Sequence, residues 1–561
     1  VSTVESPPER RLATRDPEPE GGAARSVADR FAGLWERSRW PGIAAGVAAA
    51  AAWGVLAGRW TPRGPLTSRQ ALWSIVISLA VGGLAGFASR SRWAMLYGPI
   101  AFVAAVEVVR LGTSGPTVDR PAFSTYGLLA LAVGRGFHGL VSWAPMLLGA
   151  AFGAGAARTV EAASAARSSG AATTDHAPRE GSGPAGPHTG GPARPGREPG
   201  RRWARVGRRV VAGLATAGLV ALAVMLARPA RTDPIVDADG RPVEGSIAEL
   251  TRIEVNGRDH GLMIRGYSAR NPVLLFLAGG PGGSELGAMR RHLPDLERHF
   301  TVVTWDQRGT GRSYPALDPT GTVTLDGAID DALAVTDYLR DRFDQDRVIL
   351  VGQSWGSLLG ALAADAHPEK YRAFVGVGQM VSPRETDRIF YRDTLAWARR
   401  RGDGELARKL TSIGPPPYTR MLDYETALSY EHEVYPYDHR PNHEGEGGFS
   451  ENFLVEEYSL VDQVHLLGAF MDTFSALYPK VQGVDLRTQV TRLEVPVFFA
   501  QGAHEARGRA EPFEEWYEIL DAPVKERATF ATSGHRPLFE QPDEFVAFMV
   551  GTVLPAAGSR G

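Results

Sequence analysis

The stretch RVILVGQSWGSLLGAL, from Arg347 to Leu362, places one serine where an apolar strand turns into a helix of small and apolar residues. Gly352 and Gly356 stand two positions either side of Ser354, where so sharp a bend leaves room only for very small side chains. The elbow lifts the hydroxyl clear of the sheet, and the helix N-terminus behind it favours developing negative charge. A serine at its ordinary pKa is a poor nucleophile, so the chemistry needs a base, and the base needs an acid to orient it. His535, in FATSGHRPLFEQ after the last predicted strand, is the base candidate. His504 lies in the preceding strand loop, and His432, His439 and His443 fall in a separate insertion. Glu505, just past a strand's carboxyl end in FFAQGAHEARG, is the acid candidate, and the order Ser354, Glu505, His535 suits a strand-borne triad. The plainer alternatives are a helix-capping histidine and a surface glutamate. An oxyanion needs two preorganised N–H donors. Trp355 supplies one beside the nucleophile; Pro281 has no N–H, so Gly280 in the loop after VLLFLAGG supplies the other.

These residues need a scaffold, and the sequence from Thr251 onward predicts one. TRIEVNGRDHGLMIRGY is a hairpin turning at Asn256-Gly257. Buried strands follow in NPVLLFLAGG and FTVVTWDQ, each running into a glycine-rich loop, and TLDGAIDDALAVTDYLRDRF has helical periodicity. YRAFVGVGQMV, VPVFFAQG and ERATFATSGH add three more strands. Strands alternating with helices imply an α/β fold with a mostly parallel sheet and ligands at the strands' carboxyl ends.

Composition narrows the chemistry. The chain has 561 residues, a formal net charge of −2 and a pI near 6.7, which gives no electrostatic ground for a nucleic-acid partner. It contains no cysteine, which excludes disulfides, thiolate nucleophiles and cysteine-based zinc sites. His176 and His188 are too isolated to suggest a metal, so no metal site is expected.

The first two-fifths is different in kind. Residues 1–40 are polar and rich in Pro, Glu and Arg, which predicts a disordered segment that is not a cleaved signal peptide. Apolar runs follow at 42–57, 71–88, 94–109, within 126–156, and at 210–226, against the roughly 20 residues a helix needs to cross a bilayer. Arg135 and His138 interrupt the fourth run, so its spanning part is placed at 140–156. Five spans are expected, six at most. Arg37, Arg39, Arg90, Arg92, Arg158, Arg167 and the cluster Arg201–Arg209 fall on one side if the N-terminus is cytoplasmic, while Arg59, Arg63 and Arg69 count against it. This balance puts the C-terminal half outside a multi-pass cell-membrane protein. Glu107, Arg135 and His138 are either functional intramembrane groups or, with Glu107 paired to Arg110, ordinary interfacial charges.

GGPGGS at 279–284, DQRGTGRS at 306–313, GQSWGS and SGH occur in this order, and over residues 247–555 the chain resembles the proline iminopeptidase-like branch of α/β-hydrolases. The resemblance implies an α/β-hydrolase fold with a helical cap, and an aminopeptidase, or related amidase or esterase, working through an acyl-enzyme without a cofactor. Ser354 and His535 carry over as nucleophile and base, and Gly280 and Trp355 as the oxyanion hole. Two departures stand out: Ala278 replaces the usual His before Gly-Gly-Pro, and Glu505 replaces the usual Asp in Gly502-Ala503-His504-Glu505.

The expected organisation is a disordered cytoplasmic N-terminus (1–40), a membrane region of about four spans (41–157), a disordered Gly/Pro/Arg linker (158–209) and a last transmembrane helix (210–227). A hydrolase core (247–381 and 495–555) follows, interrupted by a cap (382–494) in which Glu456 or Glu457 would neutralise a substrate amino group. The expected activity is a bilayer-anchored serine hydrolase that removes N-terminal residues from short peptides. The alternatives are cleavage of small or lipid-derived acyl esters, and a non-enzymatic membrane sensor with a degenerate hydrolase domain.

Overall fold

The computed structural model describes residues 38–171, 199–438 and 450–558. The C-terminal half is built on an eight-stranded sheet of order β1-β2-β4-β3-β5-β6-β7-β8. The strands are β1 (Ile247–Val255), β2 (Arg258–Gly266), β3 (Val273–Leu277), β4 (Thr301–Asp306), β5 (Val348–Gln353), β6 (Tyr371–Val377), β7 (Val497–Gly502) and β8 (Lys525–Phe530). β1 and β2 form the antiparallel hairpin; Asn256 and Gly257, with φ of 49° and 75°, make the positive-φ turn that Asn-Gly favours. β2 joins β4 antiparallel, and every later pairing is parallel.

A parallel sheet is covered on both faces, so its strands read as continuous apolar runs whose alternate residues serve different cores. Leu275 and Leu277 of β3 join Leu350 and Phe499 on one face, packed by the helices Leu325–Phe343, Trp355–Ala366 and Arg507–Ile519. Leu274 and Phe276 join Val351 and Phe498 on the other, under Leu286–His292 and Pro542–Phe548. The cap is inserted between β6 and β7. Its longest helix, Leu460–Val481, starts with a capping box in which Ser459 and Asp462 satisfy each other's backbone N–H groups.

Among the described residues, five helices of the N-terminal half are long and apolar enough to cross a membrane: Trp40–Trp60, Ser68–Ser89, Ala94–Gly112, Thr125–Ala166 and Val206–Ala227. Each expected run lies inside one of them. Two boundaries differ from expectation. The fourth apolar helix is not broken at Arg135 and His138, because the π-helical turn Ala132–Gly136 carries the chain from Thr125–Leu131 into Phe137–Ala171. The linker is also shorter than predicted: Ala-rich residues 158–171 continue the fourth helix, and the last helix begins at Pro199. The remaining linker, with His176 and His188, and the N-terminal stretch up to residue 37 lie outside the described residues.

The second and fourth of these helices approach at glycines. A Cβ on Gly82 or Gly86 would collide with the carbonyls of Met146 and Ala150, and one on Gly149 or Gly153 with those of Leu79 and Gly83. These paired Gly-x-x-x-Gly spacings bring the two backbones together as small residues do in bilayers.

The connections at 61–67 and 113–124 both meet the C-terminal half. Arg63, 1% exposed, pairs with Asp318 beside the sheet (2.9 Å) and Asp472 on the cap helix (2.5 Å), and donates to the Ser114 carbonyl (2.7 Å). Asp472 also accepts from Thr117 N, Thr117 Oγ1 and Tyr314 OH at 3.1, 2.5 and 2.6 Å. Arg63, one of three arginines that counted against the expected topology, is therefore a buried docking residue rather than a free interfacial charge.

Candidate active site

Ser354 directly follows β5 with φ 53° and ψ −117°, in a region of backbone space that a non-glycine residue occupies only under strain. The neighbouring glycines explain how the bend closes. A Cβ on Gly352 would run into the carbonyl of Gly356, and one on Gly356 into that of Leu277. Ser354 N donates to Val377 O at 2.9 Å, pinning the elbow to β6, and Ser357 Oγ donates to Ser354 O at 2.6 Å.

His535 follows β8 and Glu505 follows β7, at adjacent strand ends. Gly502 and Gly534 let the two loops touch, since a Cβ on Gly502 would overlap the Gly534 carbonyl. Glu505 Oε2 lies 2.6 Å from His535 Nδ1. That partner fixes the proton on Nδ1 and leaves Nε2 as the basic nitrogen. Burial alone would raise the Glu505 carboxyl, but Arg509 and His535 outweigh it and hold it at about 2. Its second oxygen accepts from Arg509 Nε and Ala506 N, both at 2.8 Å. The carboxylate is thus charged at neutral pH and fixed in place, and the extra methylene of Glu over Asp is accommodated.

Ser354, Gly280 and His535 line one cavity of about 330 Å³. No hydrogen bond joins Ser354 Oγ to His535 in this conformation; such contacts often tighten only when substrate is bound. The Gly280 N–H has no hydrogen-bond partner among the described residues, and the Trp355 N–H, first in its helix, has no intrahelical acceptor. The Trp355 indole donates to Gln307 Oε1 (3.0 Å), whose amide donates to Ala278 O (2.9 Å). Gln307, from DQRGTGRS, thereby braces both the elbow and the glycine loop, and Ala278 contributes through its carbonyl.

Glu456 and Glu457 do not reach this cavity, which corrects the expectation for them. They precede the cap helix on the side where the chain leaves the last apolar helix. Glu456 pairs with Arg231 at 2.7 Å; Glu457 is buried, pairs with Arg290 and accepts from Thr232 Oγ1 at 3.3 Å. The acids that line the cavity are Glu285, Asp387 and Glu431. Glu285 receives Arg536 and Asn452, each at 3.2 Å, and Glu431 pairs with Arg509. Burial pushes the Asp387 carboxyl up to about 7, against hydrogen bonds from Tyr478 and Gln482. Two of the missed residues had sequence signals, since Glu285 directly follows GGPGGS and Arg536 directly follows SGH. Aromatic rings from the cap, Phe390, Tyr424, Phe470, Phe474 and Tyr478, close the apolar wall. Of the other histidines, His504 stacks on Tyr437, and His439 and His443 lie outside the described residues. Among the described residues no cluster of three or more potential metal ligands occurs.

Residues 272–540 match the model of the family described as alpha/beta hydrolase fold. The probable aminopeptidase YbaC of Bacillus subtilis is 28% identical over 307 residues, covering 54% of this chain and 96% of that protein. The proline iminopeptidase of Xylella fastidiosa is 35% identical over 151 residues, covering 25% of this chain and only 46% of that protein. A solved proline iminopeptidase-related protein of Thermus thermophilus aligns with 55% of this chain and 99% of its own, at 18% identity and a TM-score of 0.40. The C-terminal half of this chain has the α/β-hydrolase fold, with relatives named as peptidases and a region of apolar helices joined to its N-terminus.

Proposed function

We propose that this chain is a membrane-anchored serine hydrolase in which Ser354 attacks, His535 is the general base and Glu505 orients and stabilises the imidazolium. The carrying observation is the 2.6 Å Glu505–His535 hydrogen bond, with His535 lining the same cavity as the strained Ser354. His535 Nε2 takes the hydroxyl proton as Oγ adds to the substrate carbonyl. The N–H groups of Gly280 and Trp355 receive the oxyanion, and His535 then protonates the leaving group. Water repeats the sequence on the acyl-enzyme.

The substrate class we propose is a short peptide or amide with a free N-terminal amine, as for an aminopeptidase of proline iminopeptidase type. The cavity supports this by its charge. Glu285, Asp387 and Glu431 line it with Arg509 and Arg536, and Arg509 is shared with the buried Glu505, so carboxyl groups outnumber arginines in the lining by three to two. The aromatic wall supports a second reading, cleavage of small acyl esters. Prolyl and other aminoacyl chromogenic amides compared with short acyl esters separate the two. Amide turnover with a free-amine requirement is expected; brisk ester cleavage with amides at background overturns the peptidase assignment.

We also place the hydrolase domain on the outer side of the membrane. Arg63 and the exit of the last helix meet it on one side, opposite the basic turn at Arg90 and Arg92. Protease added to intact cells should clip the C-terminal half, and protection would reverse this topology.

A further inference from the structure

A cavity of about 700 Å³ opens between the helices Ala94–Val109 and Phe137–Ala171, away from the catalytic candidates and sharing no residue with their pocket. Its volume falls within the range of small-molecule sites. Its lining is ordered along the helices. At the end nearest the hydrolase domain stand Glu107, Arg110, Arg135 and His138; toward the middle of the helices stand Phe102, Trp143 and Leu147. Phe102 lies eight residues before Arg110, about 12 Å of helix, close to the roughly 15 Å depth of one hydrocarbon leaflet.

The polar end carries a charge that its own residues do not cancel. Glu107 is the one carboxylate in the lining, and both guanidiniums converge on it: Arg110 through Nε at 3.1 Å, Arg135 through Nε at 3.1 Å and Nη2 at 3.3 Å. Arg135 spends its remaining donors on the carbonyls of Thr117 and Val118. Arg110 Nη1 has no hydrogen-bond partner among the described residues, although the side chain is only 4% exposed. His138 Nε2 is likewise buried without a partner. One net positive charge and two unused polar groups thus sit at headgroup depth above an apolar cleft. The Ala132–Gly136 π turn places Arg135 there, as such turns often do at functional sites.

We infer that this cleft binds one phospholipid of the hydrolase-side leaflet, with an anionic headgroup against Arg110 and His138 and an acyl chain along Phe102, Trp143 and Leu147. Charge complementarity and the matching order of polar and apolar lining select that occupant over a neutral lipid. The inference rests on the membrane-spanning reading of these helices.

The full chain, purified in detergent, is to be mixed with phosphatidylglycerol or phosphatidylcholine of identical chains and examined by native mass spectrometry. One phosphatidylglycerol should be retained about fivefold more than phosphatidylcholine, the factor expected of one basic residue near an anionic lipid. Arg110→Gln should abolish the preference, and Ala144→Phe, which fills the apolar part, should lower retention of both lipids. Equal retention by the wild-type chain overturns the proposal without recourse to any variant, as does an Arg110→Gln chain that keeps the full preference. Release of the chain from membranes by alkaline carbonate without detergent would defeat the spanning reading and this site with it. A chain that needs detergent but does not discriminate defeats the site alone.

Discussion

Glu505 and Arg63 are both loop residues at the edge of their own region, and both lose almost all their exposed surface. Glu505 spends its charge inside the hydrolase domain, on His535 and Arg509. Arg63 leaves the apolar helices and spends its charge on Asp318 and Asp472, in the other region. The hydrolase domain thus completes its own polar site, whereas the helical region places its most buried cation in a partner domain. Asp472 belongs to the cap helix Leu460–Val481, whose Phe470, Phe474 and Tyr478 line the candidate cavity. The contrast teaches that the helical region is docked, through one buried ion pair, on the cap helix that walls the candidate site.

Substitutions in the two places should separate in their readouts. Glu505→Gln removes the charge opposite the imidazolium, and turnover should fall about 10³- to 10⁴-fold. Stability should change less, because Arg509 keeps Glu431 as a partner. Turnover within tenfold of wild type would remove Glu505 from the mechanism.

Arg63→Ala leaves the Asp472 side chain, 0% exposed, without its cation, at a cost of about 3–5 kcal/mol. The thermal midpoint of the full chain should drop, while the Glu505–His535 pair is untouched. Combined with Asp472→Asn, the loss should be less than the sum of the two single losses. Additive losses would mean that the junction is not one network.

The smallest expected effect is on acid stability. The folded Glu505 carboxyl, at about 2, lies below its ordinary value of 4.5. Its stabilising contribution is therefore complete above pH 4.5 and is lost as pH falls from 4.5 toward 2. Denaturant midpoints measured across that window should fall more steeply for wild type than for Glu505→Gln. Parallel curves would contradict the charged, paired state of this carboxylate.

Local rules made part of this molecule legible in advance. The elbow of Ser354 follows from two glycines between a strand and a helix, and the hairpin from Asn256-Gly257. The chain order of Ser354, Glu505 and His535 follows from where strands end. Glu456 and Glu457 were misplaced because helical periodicity identifies a cap helix without telling which way its preceding loop faces. Arg63 looked like a misplaced interfacial charge because its partners, Asp318 and Asp472, lie hundreds of positions away. Arg509 was overlooked although it stands four residues after Glu505, a spacing that puts both on one side of a helical turn. Apolar composition located the long helices, but the backbone contacts of Gly82, Gly86, Gly149 and Gly153 depend on which helices become neighbours.

The most direct measurement is covalent labelling of the purified full chain with a fluorophosphonate, followed by peptide mapping. The account predicts a single adduct on the hydroxyl of residue 354, lost in His535→Ala while the thermal midpoint is retained. A chain that takes no label, or takes it on another serine with Ser354 unmodified, would contradict the hydrolase mechanism and leave the domain as a binding or sensing module.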